Sequence, residues 1–391
     1  LSLPLALNGN AAPTALVAAV AGNRPLLDDT VVDAFEGVAA RDVVPAEITG
    51  MNLAGNVNGI DWTTTAAFAG NGTFRIHDNV IRSAASEGVD VNLAGSGATV
   101  LALHDNTITA TGTGIDINET GTGTLTISRL DDNVVSGNSA GTGMLITNAV
   151  LDAVPGAALD VVDGGTTTVG ASGNGVGGAG IALNNVQGDL HFSNLSVFAD
   201  AGAALTASGT GAGLTLRVNT GGGPTGILEA TGGPALNLST LAADLRLASL
   251  RSTNSSSTGV SLTNVTGTVS AESGSTIGNA TGTDFAISGG TANVTYKGTI
   301  TDDLGQLVSI SGATAGTKAF EGAITDGNDG DGSGIALTGN TGATVRFSGG
   351  LVLSTGANPA FAATGGGTVT VCDENPCNVA ATGTLVNTLA T

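Results

Sequence analysis

Side chains that can transfer protons or bind cations recur at a fixed spacing in the N-terminal half of the chain. The segments Ile76–Ile81, Leu103–Ile108 and Leu130–Val135 each contain an aspartate followed by an asparagine, and the first two also carry a histidine. The asparagines stand at positions 79, 106 and 133, a constant spacing of 27 residues. A period of this length is typical of solenoids and related repeat proteins, in which one repeat cannot bury its apolar face without its neighbours.

Stacking of these repeats would align the aspartates in a row. Equivalent residues of parallel coils stand about 4.8 Å apart, so Asp78, Asp105 and Asp132 would lie above one another with Arg129 beside them. Paired carboxylates can act as general acid and general base on a polysaccharide, and Arg129 could hold an acidic sugar. The row could instead bind a cation or a glycan, or be a solvated strand edge. Carboxylates this close repel one another, so the row requires solvent, a cation or a raised pKa.

The asparagines favour a structural role. Stacked Asn79, Asn106 and Asn133 would form a ladder in which each amide bonds to the next. Asparagine also tolerates the left-handed backbone conformation that the corner of a coil requires. His77 and His104 share the same spacing and would stack as well.

Short strands must position these residues. Runs such as Thr99–Leu103 and Thr124–Ser128 alternate apolar and polar residues, which indicates half-buried strands. A second run that opens on glycine follows in each repeat, as in Gly114–Asn118. With no helical segment between them, these strands cannot form β-α-β crossovers. The predicted fold is therefore all-β, a parallel β-solenoid whose coils contain about 25 residues each.

The repeat pattern also predicts the domain organisation. Landmarks along the chain indicate on the order of 13 coils, and we place this repeat domain at residues 51–391. Residues 1–50 differ in character and are predicted to be an N-terminal cap or a linker. Asp29 and Thr30 would cap an amphipathic helix there, because the exposed edge of a first coil is commonly covered. The apolar face of this helix would consist of Val31, Val32, Phe35, Val38 and Ala39.

Composition limits the classes of function. The net charge of −21 excludes nucleic-acid binding, which requires a basic surface, and fits a secreted, soluble surface. No apolar run approaches the ~18 residues of a membrane-spanning helix, so membrane insertion is not expected. The only two cysteines are Cys372 and Cys377, and a small loop closed by a disulfide is predicted at this point. A disulfide would be consistent with an extracellular location.

The densest run of oxygen ligands is Asp326–Gly334. Asp329, Asp331 and Ser333 occupy positions 1, 3 and 5 of a calcium-binding loop, and glycine follows at position 6. Position 12, however, is Asn340 where a bidentate glutamate belongs. The segment is therefore either a calcium loop or an ordinary acidic turn. Calcium is the only cofactor that the sequence suggests.

Two later segments point to a family. Phe361–Val371 and Gly334–Gly342, together with the Asn-x-Ile steps, resemble the right-handed parallel β-helix repeats of very large bacterial surface and secreted proteins. The fold is similar to that of pectate lyases, polygalacturonases, phage tailspikes and autotransporter passengers. The resemblance covers residues 51–391 and implies a right-handed parallel β-helix with an adhesive or structural role. In the lyase and hydrolase members, catalytic carboxylates or basic residues lie on one face.

We therefore predict an extracellular structural or adhesive β-solenoid rod, a segment of a surface protein or filament, rather than an enzyme. Its expected partners are further copies joined end to end, neighbouring β-solenoid segments, or cell-surface glycans. The alternative is a polysaccharide lyase or glycoside hydrolase that acts on an acidic glycan through the aspartate row. Convergence of Asp105, Asp132 and Arg129 in a groove would favour the enzyme, and dispersed, solvated side chains would favour the structural protein.

Overall fold

The protein is a parallel β-solenoid of about 12 turns, which confirms the predicted fold class at slightly fewer turns than expected. Two compact units divide the chain: unit 1 comprises Leu1–Phe198 with Ala207–Leu214, and unit 2 comprises Ala199–Thr206 with Thr215–Thr391. A computed structural model describes residues 26–27, 36–42, 47–54, 57–137, 139–156, 158–219, 223–327, 331–372 and 385–387.

Unit 1 is built from short strands. In chain order they are β1 (Leu26–Leu27), β2 (Glu36–Arg41), β3 (Glu47–Thr49), β4 (Asn52–Ala54), β5 (Asn58–Thr63), β6 (Gly72–His77), β7 (Val80–Ala84), β8 (Val89–Leu93), β9 (Ala98–His104), β10 (Thr107–Ala110), β11 (Ile115–Glu119), β12 (Thr124–Arg129), β13 (Val134–Ser136), β14 (Met144–Thr147), β15 (Val150–Leu151), β16 (Val162–Val169) and β17 (Ile181–Ala199).

Each strand of unit 1 pairs in parallel with strands of the neighbouring coils, which produces three columns. The first column contains β3, β6, β9, β12 and β15. The second contains β1, β4, β7, β10, β13 and β16. The third contains β2, β5, β8, β11, β14 and β17.

Unit 2 continues the same plan, and β17 and β18 contribute residues to both units. The remaining strands are β18 (Leu205–Val218), β19 (Gly226–Ala230), β20 (Leu236–Ser239), β21 (Ala242–Thr253), β22 (Val260–Thr263), β23 (Thr266–Ala271), β24 (Thr276–Gly278), β25 (Thr283–Ser288), β26 (Asn293–Tyr296), β27 (Thr299–Asp302), β28 (Gln306–Ser311), β29 (Thr317–Phe320), β30 (Ile324–Asp326), β31 (Ser333–Thr338), β32 (Thr344–Phe347), β33 (Leu351–Leu353), β34 (Phe361–Thr364), β35 (Thr368–Val371) and β36 (Leu385–Asn387). Its columns are β20-β22-β25-β28-β31-β34, β21-β23-β26-β29-β32-β35 and β24-β27-β30-β33-β36.

Inward-facing side chains fill the coils and stack from turn to turn. In unit 1, Trp62 is fully buried and meets Phe74 edge to face, with ring centroids 4.7 Å apart. In unit 2, the rings of Phe320 and Phe347 stack at 5.3 Å, and Phe285 packs edge-on against Phe320. Burial of one such aromatic or aliphatic side chain contributes about 2 kcal/mol, so the repeated stack stabilises each unit along its whole length.

Part of the predicted N-terminal helix is a strand. Glu36–Arg41 pairs in parallel with Asn58–Thr63, and Val38 lies opposite Ile60. The prediction of a helix is therefore wrong at Val38 and Ala39. Pairing with the next coil satisfies the backbone groups that a helix would have bonded internally. Residues 28–35, which carry the rest of that prediction, lie outside the described residues. Strand pairing also begins before the predicted start of the coils.

Two other predictions concern the disulfide loop and membrane insertion. Cys372 is buried directly after β35, and Cys377 lies outside the described part of the chain, so the disulfide loop stays a prediction. In the described ranges, we find no helix with the length and hydropathy needed to cross a bilayer.

Candidate functional site

The chemically active side chains of unit 1 lie where the first column of strands turns into the second. His77–Asn79 joins β6 to β7, His104–Asn106 joins β9 to β10, and Asp131–Asn133 joins β12 to β13. We call these three stacked segments the acidic corner. In each, the middle residue is an aspartate with a left-handed backbone, at φ angles of 55°, 55° and 56°. The turn is therefore made by aspartate and not by asparagine, which corrects the expectation from the sequence.

The asparagines face inward and bond to one another. Asn79, Asn106 and Asn133 are 1%, 1% and 0% exposed. The Asn79 Nδ2 donates to Asn106 Oδ1 at 3.0 Å, and Asn106 Nδ2 donates to Asn133 Oδ1 at the same distance. Each amide also donates to carbonyls of the neighbouring coil, such as that of Ile48. A buried amide must have its partners supplied by protein, and this ladder supplies them coil by coil.

The two histidines stack face to face. The rings of His77 and His104 are 4.7 Å apart and inclined by only 6°. The His77 Nδ1 lies 2.8 Å from Asp78 Oδ2, and its Nε2 lies 2.8 Å from Glu47 Oε1. Burial lowers the pKa of His77, but hydrogen bonds and charge from Glu47 and Asp78 outweigh it, so the pKa is raised overall.

The next coil holds a network centred on an arginine. The Arg129 guanidinium forms two hydrogen bonds to Asp131, from Nε at 2.5 Å and from Nη2 at 2.7 Å. Its Nη1 lies 3.3 Å from His104 Nε2, and His104 Nδ1 lies 2.8 Å from Asp105 Oδ2. The hydrogen bond to Asp131 is the main cause of the raised pKa of Arg129, with further help from the charge of Asp105. Arg129 is therefore held by side chains of the protein itself.

Asp131 is the member of this network that the sequence analysis missed. It is 3% exposed and occupies the position that His77 and His104 hold in the two preceding coils. The signal was present in the repeat, because Asp131 stands two residues before Asn133 as the histidines stand two residues before their asparagines. Its burial beside a cation could not be inferred from that spacing alone.

Asp132 differs from its two counterparts. Its Oδ1 accepts a hydrogen bond from the backbone N–H of Thr166 at 2.7 Å, whereas Asp78 and Asp105 bond to the histidines before them. The aspartate row predicted from the sequence is thus a stack of turn residues with two kinds of partner. The charge of Asp163 also raises the pKa of Arg129, in addition to the effects of Asp131 and Asp105.

The acidic corner contains donor atoms that suit a metal ion. Ligand atoms of His104, Asp105 and Asp131 lie within 4.8 Å of one another. The positive guanidinium of Arg129, however, already covers both oxygens of Asp131 and stands 4.0 Å from Asp105 Oδ2. An ion would have to displace this arginine against charge repulsion, so the arrangement favours an internally neutralised cluster.

A shallow depression lies elsewhere in unit 1, lined in part by Phe68, Leu93 and Glu119, and its free space of about 10 Å³ is close to that of one water molecule. Small-molecule sites are usually larger, from roughly 300 Å³ upward. Burial raises the pKa of Glu119, although the backbone N–H of Gly121 at 2.7 Å partly offsets this. The cavity fits water better than an organic ligand.

Unit 2 carries a second concentration of carboxylates, at the start of β25 and at the ends of β27 and β30. Asp284, Asp302 and Asp326 are 0%, 3% and 2% exposed, and Asp302 pairs in register with Asp326. Of the predicted calcium-loop residues, Asp331 is exposed, Ser333 begins β31, and Asp329 lies outside the described residues. The calcium loop stays a prediction, and the buried Asp284 and Asp302 were not among its residues.

Comparison with known protein families, with curated proteins and with solved structures finds no match to this chain.

Proposed function

We propose that the chain is a structural or adhesive β-solenoid segment of an extracellular assembly. One observation carries this proposal: in the acidic corner, the side chains that could perform chemistry are bound to one another. His77 bonds to Glu47 and Asp78, and Arg129 bonds to Asp131. An active site would keep such groups directed at a substrate, whereas a stacked repeat uses them to join its coils.

Self-association is part of this proposal. Val369 and Val371 of β35 are 37% and 36% exposed, although the residues with which they pair, Val345 and Phe347, are each 1% exposed. Of the described strands, only β32 pairs with β35. A strand with open backbone groups and apolar side chains is suited to accept another strand. We propose a second copy, or a neighbouring β-solenoid segment, as the partner.

The extracellular location rests on two sequence features. A net charge of −21 keeps a large apolar-cored protein soluble and repels nucleic acid. Two closely spaced cysteines near the end of the chain would be stable as a disulfide in an oxidising compartment. Cell-surface glycans remain the proposed adhesive ligand.

Electron microscopy of the purified chain tests the proposal. Filaments, or end-to-end pairs, are expected, and Val369→Lys should abolish them because a buried lysine at a strand junction is unfavourable. Val154→Lys is the matched control, since Val154 is 66% exposed and lies in unit 1. Particles that stay single at high concentration would reject self-association.

A second candidate is cleavage of an acidic polysaccharide. It is favoured by one observation, that Asp105 and Arg129 are 42% and 47% exposed and therefore reachable from solvent. Incubation with acidic polysaccharides, followed by measurement of new reducing ends or unsaturated products, tests it. Activity that is lost in Asp105→Asn and in Asp132→Asn would replace the structural proposal with an enzymatic one.

A further inference from the structure

The carboxylates of Asp284 and Asp302 form a buried pair in unit 2. Asp302 ends β27 and Asp284 lies at the start of β25. The two carboxyl groups are close enough to hydrogen-bond to each other and to repel when both are charged. We call them, with the loops at 279–282 and 302–305, the buried carboxylate corner.

One oxygen of each carboxylate is satisfied by backbone. Asp284 Oδ1 accepts from the Ala280 N–H at 3.1 Å, and Asp302 Oδ1 accepts from the N–H groups of Leu304 and Gly305 at 2.9 and 3.0 Å. The other oxygen of each, Oδ2, is buried and receives no hydrogen bond from a donor. Buried polar atoms of this kind are uncommon and point to a missing partner.

Backbone carbonyls converge on the same place. The Ala280 carbonyl, the Gly282 carbonyl and Asp302 Oδ2 all lie within 3.0 Å of the point where a Cβ at Gly305 would stand. Gly305 does not have a positive φ, so its lack of a side chain is explained by this crowding of oxygens. The Gly282 carbonyl already accepts from the Gln306 N–H at 3.0 Å, whereas Asp302 Oδ2 receives no hydrogen bond. That carboxylate oxygen is repelled by nearby oxygens unless a proton or a cation lies between them.

Among the ion pairs of the described residues in unit 2, none reaches Asp284 or Asp302. Within the described residues of unit 2, the ion pairs link Arg246, Arg251, Lys297 and Arg346 to other acids. The buried Lys318 donates to the carbonyls of Ala292 and Ala315 instead. Burial and the charge of Asp302 raise the pKa of Asp284 to about 8. The pair must therefore hold a proton or bind a cation.

We propose that the buried carboxylate corner is a calcium site, formed by Asp284, Asp302 and the carbonyl oxygens of Ala280 and Gly282. Calcium takes six to eight oxygen ligands, mixes carboxylates with backbone carbonyls, and neutralises two buried charges with one ion. Asp303 and Leu304, which follow Asp302 directly in the chain, are exposed, so solvent lies close to this corner.

One part of the arrangement recurs one coil further along. Asp326 pairs in register with Asp302, and its Oδ1 lies 3.0 Å from the position of a Cβ at Gly332. Gly332, unlike Gly305, has a positive φ of 63°, and Leu307 stands in this coil where Asp284 stands in the one before. The carboxylate pair of Asp284 and Asp302 is therefore not repeated in this next coil.

Terbium luminescence tests binding directly. Terbium(III) substitutes for calcium and is sensitised by nearby tyrosine. Tyr296 is the only tyrosine of the chain, and Asp284 is close enough to influence its charge state. Saturable terbium emission under tyrosine excitation, displaced by added calcium, is expected from the full chain at pH 8. Absence of sensitised emission would overturn the site.

Thermal unfolding gives an independent measurement. Calcium chloride should raise the melting temperature of the chain by about 5 °C. Asp302→Asn and Gly305→Ala should both lose this shift, the first by removing a ligand and the second by filling the space. Asp303→Asn is the control, because it removes the same charge one residue away on an exposed side chain, and it should keep the shift.

Two outcomes separate calcium from a shared proton. If calcium stabilises the wild type and Asp303→Asn but not Asp302→Asn, the site stands. If calcium has no effect on any of the three, while the wild type loses stability with rising pH and Asp284→Asn does not, a proton bridges the pair and the proposal fails. Asp284→Asn should fold in either case, since an amide replaces a buried carboxyl of the same shape.

Discussion

The acidic corner of unit 1 and the buried carboxylate corner of unit 2 place aspartate in opposite environments. In unit 1, Asp105 is 42% exposed on the outside of its turn, and a buried asparagine follows it. In unit 2, Asp302 is 3% exposed and itself faces inward. Asp105 has His104 and Arg129 nearby, whereas Asp302 has only backbone donors and another carboxylate.

Charge at the corners of the coils is compensated in two ways in this molecule. An exposed carboxylate needs little help, because water screens it. A buried carboxylate needs a counter-charge, and its cost grows when a second one lies beside it. Unit 1 solves the problem with side chains of neighbouring coils, and we propose that unit 2 solves it with an ion.

The largest expected effect is a pH dependence of unit 2 in the presence of a chelator. The pKa of Asp284 is about 8 in the folded state and 3.8 as a model value, so the folded state binds the proton more tightly. Stability should therefore be greatest at low pH and fall by up to roughly 4 kcal/mol between pH 5 and pH 8. Urea unfolding followed by circular dichroism measures it.

Asp284→Asn provides the control for this slope. The variant removes the titrating group, so the part of the slope due to Asp284 should disappear, and the variant should be more stable than the wild type at pH 8 without calcium. Asp302 and Tyr296, which also face Asp284, are unchanged in it. An identical slope in both proteins would show that the buried pair is not the origin.

Asn106→Ala should cost about 3 kcal/mol. The side chain of Asn106 donates to Asn133 and to the carbonyls of Ile76 and His104, and it accepts from Asn79. Its removal leaves several buried groups without partners. Trp62 is the only tryptophan and lies in unit 1, so its fluorescence during urea unfolding reports the loss.

Asn92→Ala is the matched control for the ladder. Asn92 lies on β8 and is exposed, so the same substitution should change the unfolding free energy by less than about 0.5 kcal/mol. Equal losses in the two variants would mean that the ladder adds nothing beyond the general effect of replacing an asparagine.

His77→Gln should reduce stability by about 1 kcal/mol at pH 5.5. Because the folded pKa of His77 is raised above 6.5, its contribution is present below that pH and is lost as pH rises through the folded value. The difference between wild type and variant should shrink by pH 8.5. Glu47→Gln should weaken this pH dependence, and a difference that grows with pH would contradict the sign.

Asp105→Asn should have the smallest effect, below about 0.5 kcal/mol. Asparagine accepts a hydrogen bond from His104 and tolerates the left-handed backbone at this position, where φ is 55°. Asp105→Val should cost about 1–2 kcal/mol more, because a β-branched residue is strained there. Equal stability of the two variants would show that the turn conformation is not what selects the residue.

Much of the architecture could be read from the chain. The constant spacing of 27 residues and the period-two runs dictate stacked coils, because identical positions in parallel strands must lie above one another. The column of Asn79, Asn106 and Asn133 follows from that spacing. The spacing alone did not show that aspartate, and not asparagine, occupies the left-handed position, since both residues tolerate it.

The buried carboxylate corner was decided by tertiary structure alone. Asp284 and Asp302 belong to different coils and do not share a repeat position, since Asp302 follows Thr301, the residue that pairs with Gly278. Only the register of β24 with β27 and of β25 with β28, together with the turn that directs each side chain inward, brings the carboxylates together. Repetition in the sequence determines which residues align between coils, but burial depends on how the chain turns each corner, and that is a property of the folded coil.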